Sequence, residues 1–180
     1  MKNEVHPAFG LWITGLPASG KSTVTAALAT QLRETGMDIT VLESDRMRML
    51  FSDNPQYDER ERELFYGSLA FIGEVLVAHG ISVIFDATAN RRSYRNRARK
   101  HISRFAEVFV DCPLQVCASR DPKGIYRMAR EGKAGNVPGL QASYEPPENP
   151  DIVIHADHEE PQEAARRIME MLSAKGFLSE

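Results

Sequence analysis

Short apolar runs recur at residues 9–14, 39–42, 81–85, 106–110 and 152–155, and helix- or loop-like stretches separate them. Each run is nearly continuous in apolar character, as expected of parallel strands covered on both faces by helices. The alternation predicts a three-layer α/β fold around a parallel sheet of about five strands.

The intervening segments are less uniform. Residues 58–79 carry two overlapping stripes, Leu64, Phe71, Val75 and Ala78 beside Phe65, Leu69, Ile72 and Leu76. Such a width predicts a largely buried helix. Residues 91–104 hold Arg91, Arg92, Arg95, Arg97, Arg99, Lys100 and Arg104 around a narrow seam of Tyr94, Ala98 and Ile102. That pattern predicts a cationic amphipathic helix whose charges mostly face solvent. Pro161 opens a last helix with Ala164, Ala165, Ile168 and Leu172 toward the core. Gly132, Gly135, Pro138, Gly139, Pro146, Pro147 and Pro150 leave 132–150 as a long mobile loop.

Composition narrows the function. The 180 residues are 42% hydrophobic, enough for one core, so a single domain over 1–180 is expected. A net charge of −3 argues against a protein that coats nucleic acid or an anionic membrane, and any basic site must be local. No apolar run is long enough for a bilayer, and the opening residues Met1 to Pro7 lack a signal-peptide apolar region. A cytoplasmic location follows as the expectation. Cys112 and Cys117 form a lone C-x₄-C, which suggests reduced packing residues rather than a zinc site or a disulfide framework.

The strongest motif is Gly15-Leu16-Pro17-Ala18-Ser19-Gly20-Lys21-Ser22, a G-x-x-x-x-G-K-S placed after the first strand and before a helix over 22–34. In that context it reads as a phosphate-binding P-loop. The glycines permit the turn, successive backbone N–H groups between Gly15 and Thr23, Pro17 excepted, face phosphate oxygens, and the helix N-terminus favours negative charge. Lys21 would bridge the β- and γ-phosphates, and Ser22 would offer its hydroxyl to Mg²⁺. No Asn is followed by Lys, so the guanine-reading N-K-x-D is absent and ATP is the expected donor. The fold class sharpens to a P-loop kinase fold.

In open parallel sheets, ligands bind outside the carboxyl ends of the strands. Asp45, Asp86 and Asp111 stand there. Asp45 suits a general base for an acceptor hydroxyl or a holder of the metal's water shell, and equally a cap for a helix from Arg46 onward. Asp86 and Asp111 both end strands in Walker B style, and the sequence leaves open which of them serves the metal. Arg120, Lys123, Arg127 and Arg130 bracket Asp121-Pro122-Lys123-Gly124-Ile125-Tyr126 like a kinase lid, so residues 120–150 are expected to close over the site.

Three segments, Phe109-Val110-Asp111-Cys112-Pro113-Leu114-Gln115-Val116-Cys117, Arg120 to Tyr126, and Tyr144-Glu145-Pro146-Pro147-Glu148-Asn149-Pro150, give the chain a close resemblance to the adenylylsulfate kinase family. That family phosphorylates the 3′-hydroxyl of adenosine 5′-phosphosulfate (APS). The resemblance implies a homodimer, a Mg²⁺ requirement, and adenine contacts at Arg120 and the following loop. It places acceptor binding at Asp45, Arg48, Arg62, Phe65, Lys123, Val137 and Gly139. It also puts Thr88 where the family's phosphorylatable serine stands. Several positions depart from the family pattern. Asp-Gly-Asp is Glu43-Ser44-Asp45, an acceptor-binding Asn and Arg fall near Phe65 and Gly67, and Phe-Thr-Gly is Val137-Pro138-Gly139. These departures leave two alternatives: a related kinase for another hydroxyl, on a sugar, antibiotic, nucleotide or polynucleotide end, or a non-catalytic nucleotide-binding module.

Overall fold

In the computed structural model, which describes residues 7–51 and 55–178, five parallel strands form one sheet in the order β2-β3-β1-β4-β5. They are β1 (Gly10–Thr14), β2 (Ile39–Glu43), β3 (Ser82–Asp86), β4 (Phe105–Asp111) and β5 (Ile152–His155). Every predicted run falls on a strand, with small shifts at the ends. The polar opening segment, residues 1–6, lies outside the described residues. β1 and β3 are buried at every position, which is why GLWIT and SVIFD show no polar alternation.

The helices are α1 (Lys21–Glu34), α2 (Ser44–Arg48), α3 (Glu59–Ala78), α4 (Arg92–His101), α5 (Leu114–Arg120), α6 (Ile125–Arg130) and α7 (Pro161–Ala174). On one face of the sheet, Leu28 and Leu32 of α1 and Ile168 and Leu172 of α7 pack with Leu11, Ile13, Val108 and Val110. Ile168 and Leu172 are fully buried, worth about 2 kcal/mol each by area. On the other face, α3 and α4 cover Trp12 and Phe85, whose rings stack at 4.6 Å. The sheet thus lies between two helical layers, as the alternation predicts.

Two expectations fail here. α3 is not largely buried: Phe65 and Leu69 are inside, but Leu64, Phe71 and Val75 are 62%, 63% and 40% exposed. α3 packs against the sheet and α4 from one side. The stripe of Leu64, Phe71 and Val75 is therefore a surface, and periodicity alone could not separate the two. The charged face of α4 also has an exception. Arg95 is 1% exposed and ion-paired with Glu107 of β4 at 2.6 Å.

Residues 132–150 hold no regular element beyond an isolated bridge between Pro138 and Ala142. Cys112 and Cys117 are buried free thiols. Among the described residues, no helix is long and apolar enough to cross a membrane, and no group of three His, Cys, Asp or Glu can hold a metal ion.

Candidate active site

Strand register sets the site. Asp86 pairs with Ile13 of β1 on one side and with Glu43 of β2 on the other. Asp86, the loop after Thr14 and the start of α2 therefore leave the sheet at one edge, where a topological switch favours ligands. Gly15 is required by close approach: a Cβ there would lie 2.4 Å from the Val110 carbonyl oxygen and 2.8 Å from Ser19 Oγ. Gly20, at φ 104, precedes α1 without any side-chain cap, and the first turn holds no acid. The amides at that end stay open to an anion.

Lys21 arches back over the loop, its Nζ donating to the Leu16 carbonyl at 2.8 Å. The side chain is buried, and burial pushes its ammonium below the usual lysine range, against the opposing charges of Asp86 and Asp45. Asp86 is buried too. Burial raises its carboxyl above the usual range, while a hydrogen bond from Ser22 and the charge of Lys21 pull it back. Ser22 and Thr23 stay exposed at the start of α1. Asp111 stands apart at the end of β4, 3.8 Å from His155 Nδ1. The neighbours of Asp86 thus make it the carboxylate nearer the phosphate loop.

Asp45 lies in the first turn of α2, whose cap is Glu43, so the expected capping role falls elsewhere. Its side chain is 69% exposed and is ion-paired with Lys123, between α5 and α6. Beyond it, Arg48 is buried, with its guanidinium 3.9 Å from the Phe65 ring centroid and 4.8 Å from that of Tyr57. One terminal nitrogen of Arg48, Nη1, is buried without a hydrogen-bond partner. Arg62 is also buried and donates to the Asn136 carbonyl, and burial lowers its pKa. Among the described residues, neither arginine is ion-paired to a carboxylate. Phe65 is 1% exposed and Val137 is 4% exposed, so both belong to packing here.

A third, small core forms between α5, α6 and the loop that follows. Val137 packs with Cys112, Cys117, Tyr126 and Ala129, against Leu16 and Ala18 of the phosphate loop. Tyr126 donates its hydroxyl hydrogen bond to the Pro17 carbonyl at 2.9 Å. Burial drives the Cys117 thiol up to about 12, so it is an inert packing group. Arg120 at the end of α5 donates to the Ala156 carbonyl at 2.7 Å and comes within 4.0 Å of a Cβ built on Gly20. Gly139, at φ 84, lies so close to Leu16 that an added Cβ would meet it at 2.7 Å. The Thr88 carbonyl accepts from Thr14 Oγ1 at 2.6 Å. A cavity of about 620 Å³ between Leu16, the end of β4 and residues 139–146 has Asp111 as its one charged lining group. Its lining holds no cation, and Lys21, Arg48, Arg62 and Lys123 all lie outside it.

Sequence reading missed Tyr57, a 39% exposed aromatic ring against Arg48. It also missed the contacts of Asn136 and Tyr144. Tyr57 sits in no periodic element, two residues after Pro55, so nothing local distinguishes it from a loop tyrosine.

Residues 7–155 match the family described as Adenylylsulphate kinase. Adenylyl-sulfate kinases from Gloeothece citriformis and a Synechococcus species are 37% and 35% identical over 168 residues, 93% of this chain and 96% of each relative. The structure of Mycobacterium tuberculosis APS kinase CysC in complex with AMPPNP and APS is 32% identical with a TM-score of 0.87, covering 93% of this chain and 98% of that one. A Janibacter sugar kinase, at 19% identity and a TM-score of 0.63, shares the fold alone. With this P-loop, this strand-end acid and these matches, the chain belongs to the adenylylsulfate kinase family.

Proposed function

We propose that the chain transfers the γ-phosphoryl group of ATP to the 3′-hydroxyl of APS, giving 3′-phosphoadenosine 5′-phosphosulfate. The observation that carries this reading is one cleft. It places the open P-loop and Lys21 beside Asp45 and two buried arginines, Arg48 and Arg62, which lack a carboxylate partner among the described residues. Unpaired buried guanidiniums call for an anion, and a sulfonated nucleotide supplies one. The Mycobacterium tuberculosis relative, whose complex holds AMPPNP and APS, supports the same pair of ligands.

In this scheme residues 15–23 cradle the ATP phosphates, Lys21 neutralises charge growing on the transferred group, and Arg120 lies over the nucleotide end of the loop. Asp45 accepts the proton of the 3′-hydroxyl as it attacks. Ser22 and Asp86 present oxygen ligands suited to Mg²⁺, which keeps most of its shell as water and phosphate oxygens and so needs few protein groups. When bound, Mg²⁺ would screen the phosphate charge. Tyr57 offers the acceptor an aromatic face, and Lys123, Val137 and Gly139 belong to a lid over 120–150 within one kinase domain, 1–180. Thr88 accepts at its carbonyl, and among the described residues its hydroxyl has no hydrogen bond, which suits it to present that hydroxyl. The exposed stripe of Leu64, Phe71 and Val75 suits a second copy of the chain, so we read the enzyme as a cytoplasmic homodimer.

A coupled assay with ATP, Mg²⁺ and APS tests the reading. Equimolar ADP and 3′-phosphorylated product are expected. No turnover of APS, together with turnover of a sugar or nucleotide hydroxyl in the same panel, would overturn it.

A further inference from the structure

Arg95 is the most deeply buried charged residue on α4, and it does more than pair with Glu107. Its three nitrogens go to three different parts of the chain. Nε donates to Glu107 Oε1 at 2.6 Å on β4, and Nη1 donates to the Ala89 carbonyl. Nη2 donates to the Glu145 carbonyl at 2.7 Å. Glu107 itself is 6% exposed and takes a second arginine, Arg99, at 2.8 Å. One guanidinium therefore joins the sheet, the loop that follows Asp86, and the C-terminal foot of the lid.

The two joined segments also meet directly. The Glu145 amide donates to the Asn90 carbonyl at 2.8 Å, and Asn90 Nδ2 donates to the Ser143 carbonyl at 2.9 Å. The Arg92 amide donates to Glu145 Oε2 at 2.8 Å. Tyr144 OH and Thr14 Oγ1 lie 3.0 Å apart, and the same threonine donates to the Thr88 carbonyl. Ala89 is held at φ 38, in the left-handed region that a Cβ-bearing residue avoids, so the loop depends on its surroundings for its shape. The Ala89 amide donates to Tyr66 OH at 3.2 Å, and the Tyr66 ring lies 5.6 Å from the Arg48 guanidinium. The strap therefore ends at the wall of the acceptor pocket. Among the described residues, none of these hydrogen bonds goes to residues 16–23 or to Arg120.

We propose that Arg95 is a positioning residue for the acceptor half of the site. It fixes residues 88–90 to residues 143–145, so that the loop beside Asp86 and the foot of the lid hold one arrangement together. The planar fork is needed because three acceptors in different directions are served at once. Lysine keeps the charge opposite Glu107 but can serve only one of them well. A charge-only role would thus be rescued by lysine, and a positioning role would not. The inference rests on the kinase reading above for its kinetic arm and stands without it for its structural arm.

The structural arm is hydrogen exchange on the free protein, wild type against Arg95→Lys and Asn90→Ala. The amides of Ala89, Arg92 and Glu145 are expected to exchange together at least tenfold faster in Arg95→Lys, with β1 amides unchanged. Asn90→Ala, which leaves the Arg95–Glu107 pair in place, is expected to shift the same three amides in the same direction by a smaller factor. The kinetic arm expects acceptor KM to rise about tenfold in Arg95→Lys while ATP KM stays within twofold. Wild-type protection at all three amides, or faster exchange spread equally through β1, would overturn the proposal. So would full kinetic rescue by lysine. If Arg95→Lys fails to fold, unchanged exchange in Asn90→Ala overturns it instead. If wild type ignores APS, the kinase reading falls, and the exchange result still decides the role of Arg95.

Discussion

Lys123, in the turn between α5 and α6, donates to Asp45 Oδ2 at the start of α2, so a cation from the segment after α5 meets a carboxylate just beyond β2. The bond raises the lysine pKa and keeps it charged. Both side chains are more than half exposed, so the pair is a contact that a substrate can open rather than a pillar of the fold. With Asp45 as base, Asp45→Asn lowers kcat by roughly 10²-fold or more and leaves ATP binding within twofold. Steady-state kinetics with both substrates varied checks this. A loss confined to ATP affinity would move Asp45 to the metal's water shell.

Lys21 separates stability from activity. Its amine is buried at a cost, since burial is the largest influence on its pKa. Lys21→Met therefore keeps or raises Tm while cutting turnover by about 10²- to 10³-fold, the scale of losing one electrostatic stabiliser of the transition state. Melting curves beside rate measurements test both halves. An unchanged rate would remove Lys21 from the phosphate site.

Asp86 gives a pH signature. Its folded pKa is raised by burial, so the folded state holds this proton more tightly than the unfolded chain. Below the unfolded carboxylate pKa both states are protonated and the burial penalty is absent. Above the raised folded pKa both are ionised and the penalty is complete. Asp86→Asn should accordingly be more stable than wild type at neutral pH, with the gain shrinking as pH falls through the raised value toward the ordinary carboxylate range. The same substitution should weaken Mg²⁺-dependent turnover. Denaturant melts at several pH values provide the check, and a gain that grows on acidification would contradict the assignment.

Much of this was legible in the sequence because it is local. The P-loop, the five strands and the acids that end them are each carried by contiguous residues whose spacing has a physical meaning. What periodicity could not supply was the third dimension. The stripe of Leu64, Phe71 and Val75 has helical spacing like the stripe of Phe65 and Leu69, yet only the second meets the sheet. Arg95 stands in the same arginine-rich run as Arg97 and Arg99, and only the fold brings Glu107, Ala89 and Glu145 together around it. Likewise Val137 stands in a breaker-rich loop that predicts exposure, whereas Cys117 and Tyr126 enclose it.

That burial decides what an aromatic at position 137 would do. The resemblance to the family puts Val137 where Phe-Thr-Gly has its phenylalanine, whose ring would offer the acceptor base a stacking face, so on that resemblance Val137→Phe is a gain. In the structure the side chain is 4% exposed inside the third core, and the neighbouring Tyr126 hydroxyl is anchored on the Pro17 carbonyl. A phenylalanine there overfills the cluster, costing about 1–3 kcal/mol. It also presses on Leu16 and Ala18 of the phosphate loop. Val137→Phe should therefore lower Tm and reduce kcat/KM for ATP and acceptor alike. On the proposed function, the ring open to an acceptor base is instead Tyr57, 39% exposed beside Arg48. Base stacking on an aromatic is worth about 1–3 kcal/mol, so Tyr57→Leu should raise acceptor KM by roughly tenfold or more, with ATP KM unmoved and Tyr57→Phe close to wild type. Measuring the three variants with APS settles the matter: improved turnover in Val137→Phe, with Tyr57→Leu silent, would mean that the acceptor stacks at the lid.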